Sequence, residues 1–207
     1  MKLFNLPIII IALLLPVIAG AQAQLSNLAP DVLIKQVTNE VLEVVRKDKD
    51  IQSGDRQKVI GLVEAKVLPH FDFTRMTQLA MARDWRVATP VQQKNLTDEF
   101  RMLLVRTYSK ALTEYKNQVI EFKPFALKAG ETEARVRTQV IQSGAKPIAL
   151  DYFLEKQAQG WKVVDIEVGG ISLVTNYRDS FAGEVKSSGI DGLIKSLQAK
   201  NRSAEAK

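Results

Sequence analysis

The sequence contains no cysteine in 207 residues and only one histidine, His70. Without cysteine, the chain has no disulfide bonds, no thiolate metal ligands and no thiol nucleophile. A single histidine without clustered carboxylates does not provide the four ligands of a zinc site. A glycine-rich phosphate loop, an HExxH motif and the GxSxG turn of serine hydrolases are also missing. The sequence therefore predicts a protein that is not an enzyme and that has no metal or other cofactor.

His70 is the residue that a catalytic hypothesis would have to use. It follows Pro69 in the segment PHFDF, and Asp72 is the nearest carboxylate along the chain. Two residues apart, these side chains need not face each other. We therefore favour packing or helix capping for His70 over general-base catalysis.

The N-terminal segment has the pattern of a secretory signal peptide. Lys2 precedes an apolar run from Leu6 to Ile18, and the small-residue stretch AGAQAQ follows it directly. The run is shorter than the roughly 20 apolar residues of a membrane-spanning helix. For these reasons we favour cleavage after Ala21 or Ala23 over an N-terminal anchor helix. We expect residues 1–23 to be removed and a soluble, exported domain to remain over residues 24–198, followed by a polar, disordered tail over residues 199–207.

The chain is basic, with a formal charge of +6 and a pI near 9.5. This positive net charge permits electrostatic attraction to nucleic acid, to anionic lipid headgroups or to an acidic partner. Lysine and arginine are, however, interspersed with aspartate and glutamate, and basic runs with interleaved aromatic residues are missing. We therefore do not expect nucleic acid as a partner.

Hydrophobic periodicity predicts helices, then strands, then helices. Apolar residues at steps of three and four predict a helix from Pro30 to about Lys49, and helix-capping residues predict three more that begin at Asp55, Asp72 and Thr89. The last of these has Pro90 at its first position and an apolar stripe that extends to Tyr115. After it, alternating residues predict four consecutive antiparallel strands, the fourth being Trp161 to Val168.

The segment after the fourth strand is predicted to be helical. Gly169-Gly170 is expected to end the fourth strand and to return the chain to helix, and Asp191 is expected to cap a last short helix. This order predicts an α+β domain in which one face of an antiparallel, about four-stranded sheet meets a layer of helices. Apolar stripes at helical spacing are usually ordinary core, so periodicity alone favours a filled interior over a cavity.

Several motifs resemble the MlaC family, which is also known as the toluene-tolerance family. These motifs cover nearly the whole chain after the signal, in order and at matching spacing, and one departure is that the family often has glycine near Ala82. The matching segments are LPHFDF from Leu68, MTQLA from Met76, Trp85-Arg86, ATP at Ala88 to Pro90 with Gln92-Gln93, FRMLLVRTYSKAL from Phe100, WKVVDIEVGGISLVTNYRDSF from Trp161 and GIDGLIKSL from Gly189.

The resemblance implies a monomeric, periplasmic phospholipid-binding protein. Its cargo would be a glycerophospholipid with the acyl chains enclosed between a curved sheet and the helices. Its partners would be the outer-membrane lipoprotein–porin component and the inner-membrane ABC transporter complex of a pathway that maintains outer-membrane lipid asymmetry. The methionines Met76, Met81 and Met102 are candidates for a deformable lining that accepts acyl chains of different length.

On this interpretation, two sets of residues form the predicted site. The lining comprises Phe73, Met76, Leu79, Phe100, Leu104, Tyr108, Val136, Val140, Leu150, Tyr152, Ile166, Val168, Val174, Tyr177 and Phe181. The rim of the pocket, or a surface for a partner, comprises Trp85, Arg86, Arg135, Arg137, Lys146 and Arg178. Scattered arginine is, however, usually solvated surface.

Two alternatives from other classes stay open on the sequence. One is a small enzyme that acts on a hydrophobic substrate in the same pocket, which requires a buried Asp or Tyr with a shifted pKa. The other is a chaperone for apolar protein segments, such as the acylated end of a lipoprotein.

Overall fold

We describe residues 28–205 of a computed structural model of the chain; the predicted signal peptide, residues 1–23, lies outside this range. Within it, no helix has both the length and the apolar character needed to cross a membrane. Short 3-10 turns precede the helices that begin at Phe73, Pro90 and Arg178. The helices are α1 (Pro30–Lys47), α2 (Lys49–Gln52), α3 (Arg56–Lys66), α4 (Phe73–Met81), α5 (Pro90–Tyr108), α6 (Lys110–Thr113) and α7 (Arg178–Glu205).

The strands form one antiparallel sheet in the order of the sequence, which confirms the predicted α+β class. The sheet has five strands, one more than the sequence pattern indicates, because Gly169 and Gly170 both have positive φ and turn the chain back along the fourth strand. The strands are β1 (Val119–Phe122), β2 (Glu133–Ile141), β3 (Ile148–Gln157), β4 (Gly160–Val168) and β5 (Ile171–Ser172).

Three predicted helix caps are present. The Asp55 carboxylate accepts a hydrogen bond from the Lys58 amide at the start of α3, and the Asp72 carboxylate accepts one from the Arg75 amide at the start of α4. Thr89 forms a reciprocal capping box with Gln92, in which each side chain binds the backbone amide of the other residue. Local sequence therefore fixes where these three helices begin.

Three helix boundaries differ from the sequence-based prediction. Asp191, predicted to cap a last short helix, lies inside α7, and its carboxylate accepts a hydrogen bond from the Gln92 side chain. The long helix α5 ends at Tyr108 instead of Tyr115, and a turn at Ser109 separates it from the short α6. The predicted tail over residues 199–207 is helical as far as Glu205. Asn201 explains that extension, because its side chain is only 2% exposed and donates hydrogen bonds to the Glu99 carbonyl and carboxylate oxygens.

The core formed by residues 28–205 consists of three apolar clusters. The helical cluster lies where α4, α5 and α7 pack together, and α7 bends at Gly189 (φ 73°) so that both of its halves reach this cluster. The sheet cluster lies between α1 and the strands β2, β3 and β4. The N-terminal cluster joins α1, α2 and α3. Phe71, which precedes α4, contacts both the helical and the sheet cluster.

Candidate functional site

One face of the sheet is apolar and is directed towards the helices. Along β2 this face carries Val136 and Val140, and the strand register places Tyr152 of β3 opposite Val136 and Ile166 of β4 opposite Tyr152. Alternate residues of a strand point to opposite faces. Because α1 packs on β2 and α4 packs on β4, this face forms the wall between the two layers.

The other face of the sheet is polar and carries an ion-pair network. The Arg135 guanidinium lies 2.8 Å from the Asp151 carboxylate and 3.3 Å from that of Glu167, and it stacks over the Phe153 ring. Arg137 follows two residues after Arg135 and therefore lies on the same face. The structure thus places these two predicted rim residues on the side of the sheet opposite to Val136.

The helices cover the apolar face unevenly, and polar contacts hold one end of the sheet against the helical layer. There, Leu154 of β3 and Val163 of β4 are fully buried. Hydrogen bonds and ion pairs join this end to the segment around the start of α4: Arg75 binds Glu155, Gln157 donates to Asp72, and Lys162 donates to the Pro69 carbonyl. We call these contacts the clamp.

The opposite end of the apolar face is exposed. Ile148 at the start of β3 is 51% exposed, Val168 at the end of β4 is 36% exposed, and Ile171 of β5 is 60% exposed. Val168 pairs with Ile171 and with Leu150, so these side chains share the helix-facing side of the sheet. The sheet therefore presents an apolar open end, defined by Ile148, Val168 and Ile171, opposite to the clamp.

Tyr152 lies between the clamp and the open end. As a residue it is half-buried. Burial nevertheless raises the pKa of Tyr152 to about 12, a rise that a hydrogen bond with the Thr38 side chain of α1 partly offsets. Tyr152 is therefore a largely desolvated residue on the apolar face.

The helical cluster is packed around aromatic rings. The fully buried Phe100 of α5 contacts Tyr177 and Phe181 edge-on, with centroid distances of 5.2 Å in both cases. Beside them, burial raises the pKa of Tyr108 to about 12, with a further contribution from Tyr177. Met76 of α4 is also buried in this cluster. Its members fill the space between α4, α5 and α7.

The predicted lining residues therefore fall into two sets. Three belong to the sheet cluster (Val136, Tyr152 and Ile166), and three continue the same apolar face towards the open end (Val140, Leu150 and Val168). Nine belong to the helical cluster: Phe73, Met76, Leu79, Phe100, Leu104, Tyr108, Val174, Tyr177 and Phe181.

Three further residues lie beside the apolar face of the sheet and were not predicted from the sequence. Phe71 contacts both clusters and stacks on Phe73, Val37 joins the sheet cluster to the N-terminal cluster, and Thr38 faces Tyr152. The apolar periodicity of α1 indicated that Val37 is buried. For Thr38, the available signal was its position directly after Val37, beside the apolar stripe of α1.

The remaining predicted rim residues lie in different places. Trp85 is buried in the helical cluster, and its carbonyl accepts a hydrogen bond from Gln93. The Arg178 guanidinium donates to the Leu79 carbonyl near the end of α4. Arg86 and Lys146 are exposed, and Lys146 lies in the turn between β2 and β3.

A small surface cleft lies elsewhere, between the loop that follows β1 and the strand β2. Its volume is about 150 Å³, and its walls include Pro124, Phe125 and Leu127. Arg135 and Arg137 also border it, but the predicted lining residues do not. This cleft is therefore distinct from the apolar face of the sheet.

In the part of the chain that the structure describes, His70 and Asp72 do not form a hydrogen-bonded pair. Burial and the nearby charge of Lys162 lower the pKa of His70, while the Asp72 carboxylate caps α4 and binds Gln157. Among residues 28–205, groups of three or more His, Cys, Asp or Glu side chains that could hold a metal ion do not occur. Capping thus accounts for Asp72, as the sequence favoured.

Comparisons with known proteins agree on one family. The family described as MlaC protein matches residues 35–199. The intermembrane phospholipid transport system binding protein MlaC of Haemophilus influenzae is 23% identical over 177 residues, which are 84% of this chain and 83% of that protein. The toluene tolerance protein ttg2D of Pseudomonas putida is 26% identical over 163 residues, which are 78% of this chain and 75% of that protein.

A solved structure supports the same assignment. A phospholipid-binding protein from Ralstonia solanacearum, determined in complex with a phospholipid, superposes with a TM-score of 0.80. It is 40% identical, and the match covers 87% of this chain and all of that chain. The chain is a member of the MlaC family.

Proposed function

We propose that this protein binds a glycerophospholipid and carries it through the periplasm. The observation that carries the proposal is the apolar face of the sheet, which is desolvated at Tyr152 and exposed at Ile148, Val168 and Ile171. Membership of the MlaC family and the 40% identity to a protein solved with a phospholipid support it.

The energetics of acyl chains explain why a carrier needs such a surface. Each methylene that leaves water contributes about 0.8 kcal/mol, so the roughly thirty methylenes of two acyl chains contribute on the order of 25 kcal/mol. A free phospholipid therefore does not cross an aqueous compartment at a useful rate. A carrier has to cover the chains with apolar side chains, and it needs no catalytic group to do so.

In this proposal, the acyl chains lie along the helix-facing side of β2, β3 and β4. Val140, Leu150 and Ile166 contact them from the sheet, and Val37 and Phe71 contact them from the helical layer. Fully buried residues such as Phe100 act mainly by holding α4, α5 and α7 together.

The headgroup stays outside the apolar space, at the open end. The open-end residues Ile148, Val168 and Ile171 offer methyl groups rather than charges, and the ion pairs of Arg135 lie on the other face of the sheet. We therefore expect little discrimination between zwitterionic and anionic phospholipids.

The partners are the outer-membrane lipoprotein–porin component and the inner-membrane ABC transporter complex. The sequence has no nucleotide-binding motif, so the free energy for directional transport comes from the transporter. The protein acts as a monomer. Release of the cargo requires the helical layer to move away from the sheet, and docking on a partner triggers that opening.

Vesicle transfer tests the proposal. Delipidated protein is incubated with donor vesicles that contain fluorescent phosphatidylethanolamine, separated by gel filtration and then mixed with acceptor vesicles. We expect protein-dependent transfer that is similar for phosphatidylglycerol. Recovery of lipoprotein acyl chains instead of diacyl phospholipid, or chemical conversion of the lipid, would contradict the proposal.

A further inference from the structure

The 3-10 turn Ala82–Val87, which connects α4 to α5, exposes charged and apolar side chains together. Residues three positions apart in a 3-10 helix project from the same side, so Arg83 and Arg86 share one side of the turn, and both are exposed. Val87 is 73% exposed and Val91, in the first turn of α5, is 69% exposed, which is more than the open-end residues. We call Arg83, Arg86, Val87 and Val91 the arginine–valine patch.

Side chains on the inner side of this turn hold the patch in place. Trp85 is buried in the helical cluster, and its carbonyl accepts a hydrogen bond of 3.0 Å from the Gln93 side chain of α5. Gln92, which forms the capping box with Thr89, also donates a hydrogen bond of 2.8 Å to the Asp191 carboxylate of α7. The patch therefore rests on α5 and α7, and little of it has to become ordered when a partner binds.

The backbone of the turn is strained where it leaves α4. Ala82 has a φ of 49° and a ψ of −120°, a conformation that glycine adopts more readily than alanine. Backbone strain of this kind persists only where the surrounding structure imposes it, and it is common in ligand-binding and switch regions. A connection that only had to join α4 to α5 would be more stable without this strain. The combination of strain and exposed side chains therefore favours a role in binding.

Arg86 is the member of the patch that is best placed to bind an acidic partner. The Arg83 Nε lies 3.9 Å from the Asp84 carboxylate, and the Lys94 Nζ lies 2.6 Å from the Asp98 carboxylate. Among residues 28–205, no carboxylate forms an ion pair with Arg86. A guanidinium binds a carboxylate through two parallel hydrogen bonds. Arg86 is therefore suited to a carboxylate of another molecule.

The apolar part of the patch fits a protein better than a membrane. Surfaces that insert into a bilayer carry Trp, Phe or Leu next to several lysines or arginines. In this turn the tryptophan is buried, and the exposed apolar side chains are the short valines Val87 and Val91. Arginine is enriched in protein–protein interfaces, where polar residues surround an apolar centre. These features favour a protein as the molecule that covers the patch.

We propose that the arginine–valine patch is a docking surface for a partner protein of the transport system, which presents carboxylates to the two arginines and small apolar side chains to the two valines. The inference rests on the proposed function, because it names the chemistry of a partner that this function requires. The patch joins the end of α4 to the start of α5. A partner bound there contacts two helices of the layer that moves in the proposed release of cargo.

Binding to purified partner complexes tests the inference. Lipid-loaded protein is titrated by biolayer interferometry against the outer-membrane lipoprotein–porin complex and against the inner-membrane ABC transporter complex in nanodiscs, both from the organism that encodes this chain. We expect Arg86→Glu to weaken binding to at least one complex by at least about tenfold, because carboxylates then face each other. We expect Arg86→Lys, which keeps the charge but loses the paired hydrogen bonds, to weaken it less. The bound phospholipid is expected to stay unchanged in both variants.

Val91→Asp tests the apolar part of the patch, and Val32→Asp is its matched control. Both valines are exposed and lie in the first turn of a helix, where an aspartate is compatible with folding. We expect Val91→Asp to weaken complex binding by at least about tenfold and Val32→Asp to leave it unchanged. Lys49→Glu, at an exposed residue of α2, is the control for the charge change of Arg86→Glu.

Four results would overturn the inference. One is unchanged binding of Arg86→Glu or of Val91→Asp to both complexes, and another is an equal loss in their controls; both leave lipid binding intact. If the two variants instead lose binding to phosphatidylglycerol vesicles, the patch is a membrane surface, and if they lose a dimer in sedimentation velocity, it binds a second copy of the chain. If the unaltered protein binds neither complex, the inference fails together with the proposed partners, whereas vesicle transfer still tests the proposed cargo.

Discussion

Arg75 of α4 and Glu155 of β3 form an ion pair in which the Arg75 Nε lies 2.9 Å from one carboxylate oxygen and 3.0 Å from the other. The pair belongs to the clamp, at the end of the sheet opposite to Ile148 and Ile171. It joins the helical layer to the sheet where the apolar face is most deeply buried. In the proposed function, opening of the layers for cargo release has to break or strain this contact.

Arg75→Met is therefore expected to release lipid faster than the unaltered protein. Because the pair is partly exposed, we expect the free energy of unfolding to fall by no more than about 1 kcal/mol. Stopped-flow transfer to acceptor vesicles measures the release rate, and urea denaturation measures stability. Lys94→Met, which removes the exposed pair with Asp98, serves as the control with an unchanged rate. Equal release rates for both variants would rule out the clamp as a barrier.

Leu150 and Ala149 are neighbours on β3 that point to opposite faces of the sheet. Leu150→Lys places a charge on the apolar face, where acyl chains would have to displace its water at a cost of several kcal/mol. We expect the phospholipid that copurifies with this variant to fall at least about tenfold.

Ala149→Lys introduces the same charge on the polar face and is expected to retain its lipid. Circular dichroism establishes that both variants are folded before their lipid content is compared. Equal lipid content in the two variants would contradict the assignment of the apolar face as the binding surface.

Ala82 is strained at the end of α4. Its φ of 49° and ψ of −120° are typical of glycine, and it is the one non-glycine residue with positive φ among residues 28–205. Ala82→Gly is expected to raise the free energy of unfolding by about 1 kcal/mol. Ala88→Gly, at an extended residue, is expected to lower it. A lower stability of Ala82→Gly in urea denaturation would contradict this account.

Because Asp165 on β4 is partly buried, we expect the free energy of unfolding to depend on pH. Burial raises the pKa of Asp165, although hydrogen bonds from the Ser172 hydroxyl and from the amides of Ile166 and Val174 oppose the rise, and Glu167 adds to it. The protonated carboxyl therefore stabilises the folded state. This contribution is complete below the unfolded pKa of about 3.9 and is lost as the pH rises through the higher folded pKa.

Asp165→Asn removes this titration. We expect the free energy of unfolding of the unaltered protein, minus that of the variant, to decrease from about pH 3.5 towards neutral pH. Urea denaturation at a series of pH values measures the difference. An increase of this difference over the same range would mean that the folded-state pKa is lowered.

Local signals in the sequence predicted much of the fold. Asp55, Asp72 and Thr89 were identifiable as helix caps because each binds an amide three residues away. The α+β class followed from the change of hydrophobic period after Asn117. Strand β5 was missed because two residues are too few to show a period.

The candidate site was less predictable, because it depends on which elements pack together. Phe100 and Ile166 are both apolar residues between two charged neighbours in the sequence, but Phe100 is fully buried among helices, whereas Ile166 lies on the apolar face of the sheet. Arg135 and Val136 are neighbours in sequence and lie on opposite faces. The approach of Thr38 to Tyr152 joins residues that are more than one hundred positions apart, so no local pattern reveals it.

The most direct test of the account is to identify what copurifies with the protein after expression with its own N-terminal segment. Native mass spectrometry of the intact protein, followed by analysis of an organic extract, measures the mass and the stoichiometry of any bound molecule. We expect a mass increment that corresponds to diacyl phospholipid and a matching phospholipid in the extract. Protein of the bare polypeptide mass, with no phospholipid in the extract and none taken up from vesicles, would contradict the account.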